Sequence, residues 1–114
     1  MRSIAVLVSI WMMTLPAANA ACSGNACDNE YIDMLYVQGS YVLIELSGDK
    51  SALSCNLYEG RFIRLNQSHG NYDEVYALLL ATQSADRPLG RLRMSSTGNC
   101  DVAYAWQVRA NIQN

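Results

Sequence analysis

The sequence predicts a mostly β domain, a small five-stranded barrel with one helix, and three observations support this prediction. Apolar and polar residues alternate with period two through several short segments, which is the pattern of half-buried strands. Turn signals rich in Gly, Ser, Asn and Asp separate these segments. A single stretch just after residue 71 has instead the three-to-four-residue apolar spacing of a helix.

Residues 1–20 have the features of a secretory signal peptide. Arg2 supplies a positive start, residues 4–15 form an apolar run too short to span a bilayer, and Ala18-Asn19-Ala20 is an A-x-A cleavage signal. We therefore expect an exported protein, periplasmic or secreted, with a single domain over residues 21–114. No second apolar stretch of the sequence is long enough to span a membrane.

The first two strands are predicted at residues 31–38 and 41–46, with the turn signal Gln38-Gly39-Ser40 between them. Their alternation assigns six residues to the buried face: Ile32, Met34, Tyr36, Val42, Ile44 and Leu46. A third strand is predicted at residues 52–65, where the alternation slips around Gly60. Such a slip indicates a bulge or a bend.

One helix is predicted to begin after Asn71 and to end before Asp86. Asn71 can cap it, and Glu74 completes a capping-box arrangement three residues later. The apolar stripe of this helix has the spacing of one buried face and consists of Tyr72, Val75, Tyr76, Leu79 and Leu80.

Two further strands are predicted at residues 89–95 and 102–109. In the second, the alternation places four residues on one face: Val102, Tyr104, Trp106 and Val108. Three strands, a helix and two strands follow the order of the OB-fold, a five-stranded Greek-key barrel whose helix lies between strands 3 and 4. A helix packed on an antiparallel sheet that does not close is the alternative architecture.

Four cysteines, an even number in a chain predicted to be exported, indicate two disulfides with three possible connectivities. We favour Cys22–Cys27 with Cys55–Cys100; the second would close a loop of about 45 residues and stabilise the fold by roughly 3–4 kcal/mol. The cysteine spacings do not match a zinc pattern. A lipoprotein anchor at Cys22 is disfavoured, because Asn19 stands where a lipobox has an aliphatic residue.

The chain resembles a group of small exported bacterial proteins similar to the B subunit of subtilase cytotoxin. The resemblance covers roughly residues 31–109 and is carried by residues 55–60 (CNLYEG), residues 75–88 (VYALLLATQSADRP) and Asn99-Cys100. It implies an OB-fold with a Cys55–Cys100 bridge, a homopentamer, and glycan binding as a further step. No sugar-contacting residue is carried over to a position of this chain.

The net charge argues against two kinds of partner, nucleic acids and anionic lipids. Without Arg2 the chain has seven Lys and Arg against ten Asp and Glu, a net charge of −3. Nucleic acids and anionic lipids both require a basic surface, so neither is an expected partner.

We find no pattern that indicates catalysis, a metal or another cofactor, and we expect a protein that is not an enzyme. His69 is the only histidine, in a loop before the helix, and we expect it to be exposed to solvent. No G-x-S-x-G nucleophile motif is present.

The seven tyrosines are the more informative set, because exposed tyrosines stack on sugars and anchor protein interfaces. Tyr36, Tyr76 and Tyr104 are expected in the core. Tyr31, Tyr41 and Tyr58 lie on faces predicted to point outward, and they are the candidate binding residues.

The leading hypothesis is therefore a non-enzymatic exported binding module, similar to a toxin B subunit, that recognises a glycan or a protein. The alternative is an interaction or inhibitor protein of the periplasm or envelope. Four arginines lie on two predicted strands, where they form either a subunit interface or, as is more common for such charges, a solvated face: Arg61, Arg64, Arg91 and Arg93.

Overall fold

The computed structural model describes residues 21–96 and 98–109, so the predicted signal peptide lies outside the described residues. The described chain is mostly β, as predicted, with one helix. Its elements follow the order β1 (Ala21–Ser23), β2 (Ala26–Glu30), β3 (Ile32–Gln38), β4 (Tyr41–Leu46), β5 (Ile63–Asn66), α1 (Tyr72–Ser84), β6 (Leu89–Met94) and β7 (Val102–Trp106).

The strands form two antiparallel sheets rather than the predicted closed five-stranded barrel. One sheet has the order β1-β2-β6-β7 and the other the order β3-β4-β5. Only Tyr31 separates β2 from β3, so one stretch of chain passes from the first sheet into the second. An isolated parallel bridge between Arg64 and Asp101 connects the sheets at a second place.

The core lies between the sheets and the helix. It is built from alternate positions of the strands and from Val75 and Leu79 of α1. The strand residues of this core that are at most 2 % exposed are Cys27, Val42, Ile44, Leu46, Ile63, Leu65, Leu89, Leu92 and Met94.

A bulge in β3 overturns the predicted burial of Met34 and Tyr36. Ile32 pairs with Leu46, but Met34 pairs with Glu45, so Asp33 is an extra residue on its strand. Because one extra residue reverses the side-chain alternation, Met34 and Tyr36 point outward and are 39 % and 46 % exposed.

A second bulge does the same in β7. Met94 pairs with Val102 and Arg93 with Tyr104, which leaves Ala103 as the extra residue. Val102 is therefore buried, whereas Tyr104 and Trp106 are 41 % and 46 % exposed. The strand ends at Trp106 rather than at residue 109.

The third predicted strand is much shorter than expected, because only Ile63–Asn66 is a strand. The region before it is held by isolated bridges and by a tight turn in which Tyr58 pairs with Phe62. Glu59 and Gly60 both have positive φ in this turn, which interrupts the extended backbone of a regular strand.

The helix forms at the predicted residues but differs in its cap and in its stripe. The side chain of Asn71 makes no capping hydrogen bond, so the predicted capping box is wrong. Leu80 is 44 % exposed, while Thr82 is buried.

The two disulfides join Cys22 to Cys27 and Cys55 to Cys100, the connectivity favoured from the sequence. Cys22 and Cys27 lie directly opposite each other in the β1–β2 hairpin. Gly24 in its turn has a φ of 59°, which glycine adopts without steric cost.

A buried carboxyl group constrains the turn after β4. Glu30 is only 3 % exposed, and Ser47 Oγ donates to its Oε1 at 3.0 Å. The carboxyl group lies against Gly48, where a Cβ atom would overlap it.

We predict that Gly48→Ala lowers the free energy of unfolding by about 1–3 kcal/mol, because Glu30 must move and lose its bond from Ser47. Urea denaturation followed by circular dichroism measures this change. Gly39→Ala is the matched control, since a Cβ there meets nothing within 4 Å, and its expected change is within about 0.5 kcal/mol. Equal stability of the two variants would contradict the predicted overlap.

Candidate functional site

A groove of about 340 Å³ opens where the chain passes from β2 into β3. This volume is at the lower end of the range for small-molecule sites. The groove lies between the start of β3 and the C-terminal end of α1. The residues that line it are Tyr31, Ile32, Asp33, Ser47, Gln83, Asp86 and Arg87.

Hydrogen bonds hold the strand side of the groove. The Tyr31 N–H donates to Ser47 Oγ at 3.1 Å, and the Ser47 N–H donates to the Tyr31 carbonyl at 2.9 Å. Ser47 Oγ in turn donates to Glu30 below it. These bonds fix the backbone beside the groove, while Tyr31 as a whole is 44 % exposed and its ring can receive a ligand.

The end of α1 forms the opposite side. Asp86 has a φ of 55°, a left-handed conformation that Asp tolerates better than most residues, and it turns the chain away from the helix axis. Arg87 Nη2 donates to the Val108 carbonyl at 3.0 Å. Gln83 Nε2 donates to the Ile32 carbonyl at 3.4 Å and ties the helix to β3.

The groove combines acceptors, donors and an aromatic ring. Within the described chain, the carboxylates of Asp33 and Asp86 have no hydrogen bond or ion pair. The guanidinium group of Arg87 and the amide of Gln83 supply donors, and Tyr31 supplies a flat apolar face. The hydroxyl groups of a ligand can use both the acceptors and the donors, because each hydroxyl both donates and accepts. The ring can contact an apolar face of the same ligand.

Of the three candidate tyrosines, only Tyr31 lines the groove. Tyr41 and Tyr58 are half-buried and lie on either side of the Arg64 guanidinium, whose carbon is 5.4 Å and 4.1 Å from the two ring centres. Both rings contact Arg64 and neither lines the groove, so the structure does not bring them together with Tyr31.

Asp101 organises the same cluster. Its Oδ1 accepts hydrogen bonds from Tyr58, Arg64 and Asn66 at 2.9, 3.1 and 3.0 Å. Burial and the bond to the Asp101 carboxylate raise the pKa of Tyr58 above its ordinary value. The cluster lies at the parallel bridge between the sheets, so its contacts join the two sheets.

The outer face of the four-stranded sheet carries a second feature, which we call the aromatic platform: Tyr104, Trp106, Arg91 and Arg93. The rings of Tyr104 and Trp106 are nearly parallel, with centres 5.7 Å apart. Arg91 pairs with Trp106 and Arg93 with Tyr104 across the β6–β7 ladder. The bulge at Ala103 is what turns both rings outward.

Arg91 and Gly90 hold Trp106 in place. Arg91 donates to both carboxylate oxygens of Asp28 at 2.6 and 3.0 Å, and the bond to Asp28 raises the pKa of Arg91. The Arg91 guanidinium lies 5.2 Å from the Trp106 ring centre. Gly90 lies against the ring edge, where a Cβ would be 2.9 Å from Trp106 Cδ1.

His69 is half-buried rather than exposed, which corrects the prediction. Its Nδ1 accepts from the Asn71 N–H at 2.9 Å, so the ring proton is on Nε2, which donates to the Ala103 carbonyl at 2.8 Å. The histidine therefore fastens the loop before α1 to the bulge of β7.

Comparison with known proteins identifies no relative: no family model, no curated protein and no solved structure matches the chain. Over the part of the chain that the structure describes, no helix is long and apolar enough to cross a membrane. The same residues contain no group of three or more His, Cys, Asp or Glu side chains placed to hold a metal ion.

We predict that Gly90→Ala displaces the Trp106 ring and increases the quenching of its fluorescence by acrylamide. The free energy of unfolding should fall by about 1 kcal/mol. Trp106 is the only tryptophan of residues 21–114, so the fluorescence of a chain limited to those residues reports on this ring alone. Gly39→Ala is the control and should leave quenching unchanged. Unchanged quenching in Gly90→Ala would show that the contact with Gly90 does not position the ring.

Proposed function

We propose that this protein is a non-enzymatic exported binding module that binds a carbohydrate in the groove beside Tyr31. One observation carries the proposal: the groove places an exposed aromatic ring, unpaired carboxylates and side-chain donors around a volume suited to a small ligand. Aromatic rings bind the apolar face of a sugar, and the polar groups bind its hydroxyls.

Export is supported by two independent features. The sequence of residues 1–20 has the order of a signal peptide, and the chain holds two disulfides. Disulfides form and persist in oxidising compartments such as the periplasm or the extracellular space.

An OB-like arrangement, and with it the likeness to toxin B subunits and a homopentameric assembly, belongs to the same proposal. The continuous path from β2 into β3 supports it, because this one stretch of chain pairs with strands of both sheets, β6 in one and β4 in the other. The parallel bridge between Arg64 and Asp101 supports it too, since it links β5 to the start of β7.

We predict that Tyr31→Ala weakens binding to a glycan by at least about tenfold, because the ring that faces the sugar is removed. A glycan array identifies the ligand, and isothermal titration calorimetry with that ligand measures the change in affinity.

Tyr36→Ala is the matched control for this experiment. Tyr36 is 46 % exposed, close to the 44 % of Tyr31, but it does not line the groove. Equal loss of affinity in both variants would argue against the groove, and absence of glycan binding by the wild-type protein would refute the proposed function.

A partner protein of the envelope is the second candidate, and the aromatic platform is the observation that favours it. Trp, Tyr and Arg are the residue types that dominate binding energy at protein interfaces, and the platform contains all three. Because Trp106 is held by Arg91 and Gly90, a partner would not have to immobilise it.

We predict for this candidate that Trp106→Ala reduces recovery of the partner by at least about tenfold, since truncation of a central Trp removes a dominant contact. The measurement is affinity capture of an envelope protein by the folded, disulfide-bonded chain, quantified by mass spectrometry. Tyr31→Ala should leave this recovery unchanged. Full recovery with Trp106→Ala would exclude the platform as the interface.

A further inference from the structure

We propose that the groove selects uncharged sugars and rejects sugars that carry a carboxylate. This inference rests on the proposed function and deepens it, because it names the chemical class of sugar that the groove accepts. It follows from the balance of charges around the groove and from the hydrogen-bonding state of each group.

Carboxyl groups outnumber cations at this site. Asp33 and Asp86 line the groove, and Glu30 lies directly behind Ser47 with 3 % of its surface exposed. None of the three forms an ion pair with another described residue. Arg87 is the one cation in the lining, and part of its guanidinium group is already bonded to the Val108 carbonyl.

The two lining carboxylates are suited to hydroxyl groups. An ionised carboxylate is an acceptor only, and it binds neutral O–H donors with charge-assisted hydrogen bonds. Since neither Asp33 nor Asp86 has a protein partner in the described chain, their lone pairs are available to a ligand. Neighbouring hydroxyls on one face of a sugar ring present donors in pairs, which one carboxylate can accept together.

A carboxylate on the ligand would meet the opposite situation. It has no proton to donate to Asp33 or Asp86, and its charge is repelled by both. Arg93 cannot offset this repulsion, because its side chain does not line the groove. It lies on the outer face of β6, opposite Tyr104 of β7.

The experiment compares sugars that differ only in this charge. The probes are the methyl glycosides of glucose and galactose, each matched with the glycoside of its uronic acid, together with the same pairs displayed on an array. The wild-type protein should bind the neutral member of a pair at least about tenfold more tightly, and added salt should reduce this preference.

Asp33→Asn combined with Asp86→Asn should shrink the preference by about tenfold, because the repulsion is removed while side chains of similar size remain. Both residues are exposed and unpaired in the described structure, so the variant should fold; each single substitution should shrink the preference partly. Asp73→Asn is the control, since it removes the same charge at the other end of the 13-residue helix and should leave the preference intact.

The outcomes separate the inference from the proposed function. Preference for the uronic acids, or a neutral preference that the double variant retains in full, would overturn the charge selection while carbohydrate binding stands. A wild-type protein that binds no member of any pair and no other glycan of the array would refute carbohydrate binding and the charge selection with it. Binding confined to array glycans that carry a carboxylate would overturn the charge selection alone.

Discussion

The Cys55–Cys100 disulfide is the constraint on which the rest of this structure depends. It joins the irregular region before β5 to the residues before β7. Two backbone hydrogen bonds beside it connect the same regions: the Arg64 N–H donates to the Cys100 carbonyl at 2.8 Å, and the Cys100 N–H donates to the Asn56 carbonyl at 2.9 Å. Residues 47–62 contain little regular structure that could hold them otherwise. Closing a loop of 45 residues is worth about 4 kcal/mol on a chain-entropy estimate, a large share of the stability of a small domain.

The apolar pattern mispredicts the burial of several residues for one specific physical reason. A period-two pattern predicts which face a residue occupies only while the strand has no extra residue. The bulges at Asp33 and Ala103 each add one, and they reverse the positions of Met34, Tyr36, Tyr104 and Trp106. The strand β4 contains no such insertion, and there the predicted buried residues are buried. The mostly β class and the helix depend on local signals that the bulges do not affect.

Part of the candidate site could be predicted from the sequence and part of it could not. Tyr31 could be singled out from the sequence, because it lies on a face predicted to point outward. Gln83, Asp86 and Arg87 could not be grouped with it, since they come from a segment about 50 residues away that only the packing of α1 against β3 brings close. For the helix side of the groove, the sequence gives one indication. Asp86-Arg87-Pro88 predicts the end of the helix and therefore a turn next to the element against which the helix packs.

The β1–β2 hairpin has a consequence for association in solution. A sheet that ends in a long, flat strand offers its free N–H and C=O groups to other molecules and so promotes aggregation. In the described chain the outer strand of this sheet, β1, has only three residues, and Cys22–Cys27 binds it covalently to its neighbour. Such a short, cross-linked edge gives an incoming strand almost no backbone with which to pair. The hairpin thus acts as a terminator of the sheet, and reduction of Cys22–Cys27 would expose the longer edge of β2 to polymerisation.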